Sequence, residues 1–295
     1  MLSLSMMRDI FQLLRPHQWV KNGIVLAGLI FSGHALQTAN VVDALIATLI
    51  FCLLSSTVYV INDIADAEAD RRHPGKANRP IAARRITPGT AVVIAILLGA
   101  GSLTWAWFLH FGFFLTALGY LILNILYSFW LKHIVLIDVM SIATGFVLRA
   151  LAGALVINVD FSGWLLITSF LLAMFLALGK RRHEMVLLED GGKNHRKILE
   201  QYSTYFLDQL ISIVTPAVLV CYLIYVISPD VRQRLGTDYL YLTIPFVIYG
   251  IFRYYYLIHR ENKGGSPTRI LLTDGPILTT VLLWLGTSLL LLYYF

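Results

Sequence analysis

The sequence predicts an all-α membrane protein, a bundle of nine transmembrane helices. Three observations predict it. Of 295 residues, 58% are hydrophobic and only 14% charged, against roughly 45–50% and about 25% in a soluble domain; mean hydropathy is +0.72. The apolar residues fall into nine runs, most close to the ~20 residues that a helix needs to cross hydrocarbon. Lys and Arg then alternate in side with those runs.

The first span, 20–36, is the weakest, because it is short and opens on the polar stretch Trp19–Asn22. Arg8, Asp9 and Arg15 precede it, so no cleavable signal peptide is expected. Trp19 there suits an interfacial anchor. The second span, 41–61, leads straight into an acidic run. The third and fourth, 89–109 and 112–131, end at Lys132. The fifth, 135–157, carries Arg149 about halfway along. The sixth, 161–179, stops at Lys180-Arg181-Arg182. The seventh and eighth, 209–228 and 238–258, enclose Arg232 and Arg234, and the ninth is 276–295. No polar stretch is long enough for a separate soluble domain, so residues 1–295 are expected to form one integral-membrane unit.

With the N-terminus in the cytoplasm, 20 of the 23 Lys and Arg fall on the cytoplasmic side, only Arg232 and Arg234 on the other, and Arg149 inside a span. That is a positive-inside distribution for an N-in, C-out protein of the inner cell membrane. The net charge of +6 thus reports topology, and a nucleic-acid partner is not expected. The apolar content excludes disorder, and 21 Gly and 9 Pro exclude a collagen-like chain. Two cysteines, Cys52 and Cys221, both in apolar runs, support neither a disulfide framework nor a zinc site.

The sharpest feature is Asn62-Asp63-Ile64-Ala65-Asp66-Ala67-Glu68-Ala69-Asp70. Asp63, Asp66 and Asp70 are spaced i, i+3, i+7 and fall within about 60° of each other on a helix. Three carboxylates on one face repel unless something cationic sits among them. Hard oxygen ligands at a membrane surface suit Mg²⁺ or Mn²⁺, and Mg²⁺ commonly bridges carboxylates to substrate phosphates. Glu68 points about 140° away from Asp63. The loop Arg71-Arg72-His73-Pro74-Gly75-Lys76-Ala77-Asn78-Arg79-Pro80 follows. There Lys76 and Arg79 are placed to clamp the remaining oxygens of a metal-bound diphosphate. Arg84 and Arg85 read as topology charges.

At these residues the sequence resembles the UbiA superfamily of intramembrane prenyltransferases: Asn62-Asp63-x-x-Asp66-x-x-x-Asp70 matches that family's first aspartate-rich motif. The resemblance implies a helical bundle with a central cavity open to the bilayer, and Mg²⁺-dependent prenyl transfer from a prenyl diphosphate to an aromatic acceptor such as a 4-hydroxybenzoate. Typical members carry a second aspartate-rich motif after the sixth span. Here that position holds Lys180-Arg181-Arg182-His183-Glu184.

A subfamily, the decaprenyl-phosphate phosphoribosyltransferases, is similar over nearly the whole chain. The stretches that carry the likeness are Leu14–Asn22, Arg71–Pro74 through Arg79-Pro80, Gly145–Ala150, Lys180-Arg181-Arg182-x-Glu184, Tyr202-x-x-x-Phe206-Leu207-Asp208 and Thr273–Pro276. This implies transfer of a 5-phosphoribosyl group from phosphoribosyl diphosphate to a polyprenyl phosphate, a cell-wall precursor step. The partners are then an isoprenoid lipid phosphate, a diphosphate donor and the bilayer.

Two additional phosphate groups explain cations where a two-metal prenyl site has acids. Lys180, Arg181 and Arg182 are therefore expected to hold the 5-phosphate or the acceptor phosphate, with Lys180–Glu184 an i,i+4 pair. The remaining substrate-binding candidates are Lys21, Asn62, Arg71, His73, Tyr127, Lys132, Arg149, Glu184 and Asp208. Arg149 is expected to face the interior, because a cation against lipid costs at least ~2.5–3.5 kcal/mol. Asn124 is either a cavity hydrogen-bonder or an interhelix contact, and Asp208 either positions a ribose hydroxyl or metal, or caps the seventh helix.

Overall fold

A computed structural model describes residues 4–72, 75–189 and 197–294. In chain order its helices are α1 (Leu4–Leu14), a 3₁₀ helix (Pro16–Leu26), α2 (Ala27–Ile30), α3 (Thr38–Ala65), α4 (Ala67–Arg72), α5 (Pro88–Leu109), α6 (Phe111–Phe129), α7 (Ile137–Val156) and α8 (Gly163–Glu189). They continue as α9 (Thr204–Ile227), α10 (Pro229–Leu235), α11 (Ile244–His259), α12 (Pro267–Thr273) and α13 (Gly275–Tyr294), with short 3₁₀ turns between. Among the described residues there is no strand.

Eight of these segments are long and apolar enough to span a membrane. Apolar residues remain on their outsides: Phe108 is 81% exposed and Leu97 68%. Outward-facing apolar surface on so many helices suits lipid as solvent, and the chain is a multi-pass membrane protein. α3 and α7 are central, each more than half buried. One core packs α3, α6 and α7 around Phe51, Phe113 and Tyr120; another packs α8, α9 and α11 around Phe175, Leu178 and Leu257.

The expectation of nine regular helices is corrected at the first span. Residues 20–36 do not form a long α-helix; the chain runs as the 3₁₀ helix and then α2. A 3₁₀ helix has period three, so Trp19, Asn22 and Val25 share one face, and Gly28 at the start of α2 continues it. That face packs on α3 and α7. The Trp19 indole donates to Ser56 and the Asn22 amide to Ser55, so partly buried Trp19 is tied to α3. A Cβ on Gly28 would lie 2.7 Å from the Ala154 nitrogen, and one on Gly153 would collide with the Val25 carbonyl. Only glycine permits this approach.

The segment still travels from one end of the bundle to the other. Arg15 meets Asp63 near the C-terminus of α3, and the Ala35 N–H donates to Tyr293 near the C-terminus of α13. At about 2.0 Å per 3₁₀ residue the 3₁₀ helix and α2 cover roughly 28 Å, close to the ~30 Å hydrocarbon thickness.

The other boundaries fall within a few residues of expectation, except that α8 continues ten residues beyond 179 to Glu189, α9 starts at Thr204, five before 209, and the eighth span opens as a 3₁₀ turn, Tyr239–Thr243, before α11 begins at Ile244. The alternation of directions brings Asp63, Lys132, Asp138, Lys180–Glu184, Asp208 and Asp274 to one end of the bundle.

Candidate functional site

Asp66 ends α3 as its C-cap, and α4 restarts at Ala67. The break does not separate the acids: Asp63 and Asp70 are buried, while Glu68 faces out. Like charges this close cost stability unless paired. Each carboxylate accordingly receives a cation from a distant element. Arg79 Nη1 bridges Asp63 Oδ1 at 3.1 Å and Asp70 Oδ2 at 2.5 Å. Arg15, at the turn after α1, donates to Asp63. Lys76 Nζ lies 3.9 Å from Asp70, and Lys132 Nζ, between α6 and α7, lies 2.6 Å from Asp66 Oδ1. Arg15 takes up a left-handed backbone to make this approach and lies over the Tyr59 ring at 5.1 Å.

Among the described residues no three acidic, His or Cys side chains lie close enough to share a metal in this arrangement; Arg79 stands between Asp63 and Asp70, and Asp66 turns to Lys132. The Asn62 side-chain oxygen is buried there and has no hydrogen-bond partner among the described residues. A buried acceptor without a donor is costly, so it calls for a cation or a donor from outside.

A second cluster lies on α8. The three consecutive cations do not converge, since successive helical residues turn by 100°. Arg181 is 2% exposed. It donates to Asp138 Oδ2 at 2.6 Å, Glu184 Oε2 at 2.6 Å and Tyr127 Oη at 3.4 Å. Tyr202 donates to the other Asp138 oxygen at 2.8 Å and accepts from the Leu136 N–H. Burial raises the Tyr202 hydroxyl pKa above its ordinary value, and the nearby Asp138 charge adds to the rise. Arg182 points elsewhere, to Asp208, which also pairs with His259 at 3.1 Å. Ser203 caps α9, so the capping role considered for Asp208 is not the one observed. Lys180 is the most exposed of the three and lies 3.9 Å from Glu184.

The third cluster sits deeper. Arg149 is buried, as expected. Its Nε donates to Asn22 at 2.9 Å, Nη1 to the Gly145 carbonyl at 3.3 Å and Nη2 to Tyr120 at 2.7 Å, and it stacks over Tyr120 and Phe146. Tyr59 and Tyr120 were not singled out from sequence; the available signal was a phenol inside an otherwise aliphatic run. Asn124 donates to the Tyr120 carbonyl of its own helix. Arg71 is exposed and bonds the Ala82 carbonyl, bracing the loop. His73 lies outside the described residues.

Apolar helices enclosing paired carboxylates and cations at one end define an all-helical membrane protein with a charged site at one end of its bundle. The comparisons name its family. The model of the UbiA prenyltransferase family matches residues 23–273. Decaprenyl-phosphate phosphoribosyltransferase of Mycolicibacterium smegmatis is 34% identical over 294 residues, covering 96% of this chain and 92% of that protein. The protein of the same description from Corynebacterium glutamicum is also 34% identical, covering 92% and 82%. A UbiA homolog from Archaeoglobus fulgidus, solved with DMAPP and Mg²⁺, superposes with a TM-score of 0.73 at 18% identity, covering 97% of this chain and all of that one. The chain belongs to the UbiA prenyltransferase family.

Proposed function

We propose that residues 1–295 act as a single membrane domain transferring a 5-phosphoribosyl group from phosphoribosyl diphosphate to a polyprenyl phosphate, giving polyprenyl-phosphoryl-5-phosphoribose. The observation that carries this is the 34% identity, over nearly the full length of both chains, to a decaprenyl-phosphate phosphoribosyltransferase. The cations Lys180–Arg182, where prenyl-diphosphate enzymes of the family carry a second acidic motif, support it.

The donor set of Asp63, Asp66 and Asp70 with the unpartnered Asn62 oxygen fits Mg²⁺, or Mn²⁺, once the cations release those carboxylates. The metal would supply charge neutralisation for the departing diphosphate. Arg15, Lys76, Arg79 and Lys132, now on carboxylates, exchange onto diphosphate oxygens. Lys180 faces the 5-phosphate, and Glu184 and Asp208 accept from ribose hydroxyls. Arg181 is a positioning residue that holds Glu184 and Tyr127. The bond from the anomeric carbon to the diphosphate breaks with its electron pair leaving on diphosphate, and a lipid-phosphate oxygen forms the new bond. That oxygen is already ionised near neutral pH, so no strong base is needed, and catalysis rests on placement and electrostatics.

The gathering of basic residues at the end of the bundle that holds α1 supports an N-in, C-out orientation in the inner membrane. The test is direct. Purified protein with Mg²⁺, polyprenyl phosphate and labelled phosphoribosyl diphosphate should yield labelled lipid. No label there, with activity instead on a prenyl diphosphate and 4-hydroxybenzoate, would establish the aromatic prenyl transfer typical of the family.

A further inference from the structure

Among the described residues, Arg15, Arg79, Lys132, Arg181 and Arg182 each meet a carboxylate. Arg149 does not: its three partners are an amide oxygen, a carbonyl and a phenol, all neutral. Lys21, one residue before Asn22 in the 3₁₀ helix and half-buried, likewise has no ion pair among the described residues. Two cations therefore sit among apolar helices with no counter-charge from the described residues. Such a charge calls for a partner.

We propose that Arg149, Asn22 and Lys21 seat the phosphate group of the lipid acceptor. This rests on the acceptor being a polyprenyl phosphate. Three features specify it. The guanidinium has five N–H groups and spends one from each nitrogen, leaving one on Nη1 and one on Nη2, a fork suited to two phosphate oxygens. Tyr120, Asn22 and the Gly145 carbonyl hold that fork in place before any ligand arrives.

The depth fits a ligand whose tail lies in hydrocarbon. Arg149 is three turns, about 16 Å, along α7 from Asp138 at the polar end. Direction also fits. Helical side chains lean toward the helix N-terminus, so Arg149 on α7 leans toward the polar end and Asp63 on α3 leans inward. The two approach from opposite sides, acceptor below and donor above.

The same fork would suit the donor's 5-phosphate, so the test separates the two. In the full chain, acceptor and donor KM are measured for wild type, R149Q, R149K and K21M, with thermal unfolding as a folding control. Farnesyl phosphate, farnesol and inorganic phosphate are compared as stabilising ligands without donor. The expected result is an acceptor KM raised on the order of tenfold to a hundredfold in R149Q, partial recovery in R149K, a smaller rise in K21M, and an unchanged donor KM. Farnesyl phosphate should stabilise wild type and not R149Q, and farnesol neither. A raised donor KM with the acceptor KM unchanged overturns the proposal, as does farnesyl phosphate binding that survives R149Q. If R149Q does not fold, K21M decides by the same criteria. If wild type binds farnesyl phosphate through Arg149 but transfers no phosphoribosyl group, the functional reading fails and the phosphate seat stands.

Discussion

Replacing Asp138 by Asn isolates the buried charge at the root of α8. Asp138 is fully buried and Arg181 nearly so. Asn keeps an oxygen for the Tyr202 hydroxyl but turns an NH₂ toward the Arg181 Nε–H, now 2.6 Å from a carboxylate oxygen. Two donors then face each other and the guanidinium loses one of two carboxylates. Breaking a buried pair costs about 3–5 kcal/mol. Glu184 remains at 2.6 Å, which places the loss near the lower end, about 3 kcal/mol. Thermal unfolding in detergent reads it. The double variant D138L/R181M removes both charges and should recover most of the loss, because two apolar side chains require no desolvated ion. It should also leave the KM for phosphoribosyl diphosphate within a few-fold, since Arg181 acts by holding its neighbours. A D138N loss under about 1 kcal/mol, or a double variant as unstable as the sum of the singles, would refute the buried-pair reasoning. Recovered stability with a greatly raised donor KM would show that Arg181 grips substrate after all.

D63N and D66N should abolish transfer while the protein still inserts and elutes as a single species. Excess EDTA should do the same to wild type, and full activity in EDTA would remove the metal from the mechanism. G153V should push Val25 and the 3₁₀ helix off α7, costing about 1–3 kcal/mol from overpacking and reducing transfer; unchanged melting would contradict the close approach. At the polar end, the Arg253 guanidinium holds the Asp274 carboxyl below the ordinary carboxylate range. That contact stabilises at neutral pH and is lost as pH falls below about 4 through the lowered native value. D274N should therefore flatten the acid limb of the stability profile, and an unchanged limb would refute the contribution.

Much of this was legible because the governing signals are local. Eight spans followed from run length alone, since the bilayer sets a minimum that few other structures meet. The pairing of Asp63 with Asp70 followed from helical period and survives the break at Asp66, with Arg79 bridging the two, while Asp66 itself turns to Lys132. The interior placement of Arg149 followed from the cost of the alternative. What escaped depends on partners far away in sequence. Lys180, Arg181 and Arg182 look alike as neighbours, yet Asp138 and Asp208, from two other helices, draw the two arginines apart. That each acid would be met by a cation from a different element was equally beyond the reach of a pattern.

The first span was misread for a different reason, and that reason bears on the site. Its apolar content suits a crossing, but it is short for an α-helix and its period is three. From Trp19 to Gly28 an α-helix turning 100° per residue would place the two on opposite faces, whereas a 3₁₀ helix turning about 120° returns them to the same one. Only the second geometry lets Trp19 reach Ser56, Asn22 reach Ser55 and Arg149, and Gly28 lie against Ala154 within one segment. A 3₁₀ run of 11 residues is well beyond the three or four that are common, so its own hydrogen bonds do not account for it. The contacts on its period-three face do, and they end on Arg149. The irregular crossing and the unpaired cation are therefore one feature: the segment takes an unfavourable helix type because that type aligns Asn22 with the guanidinium.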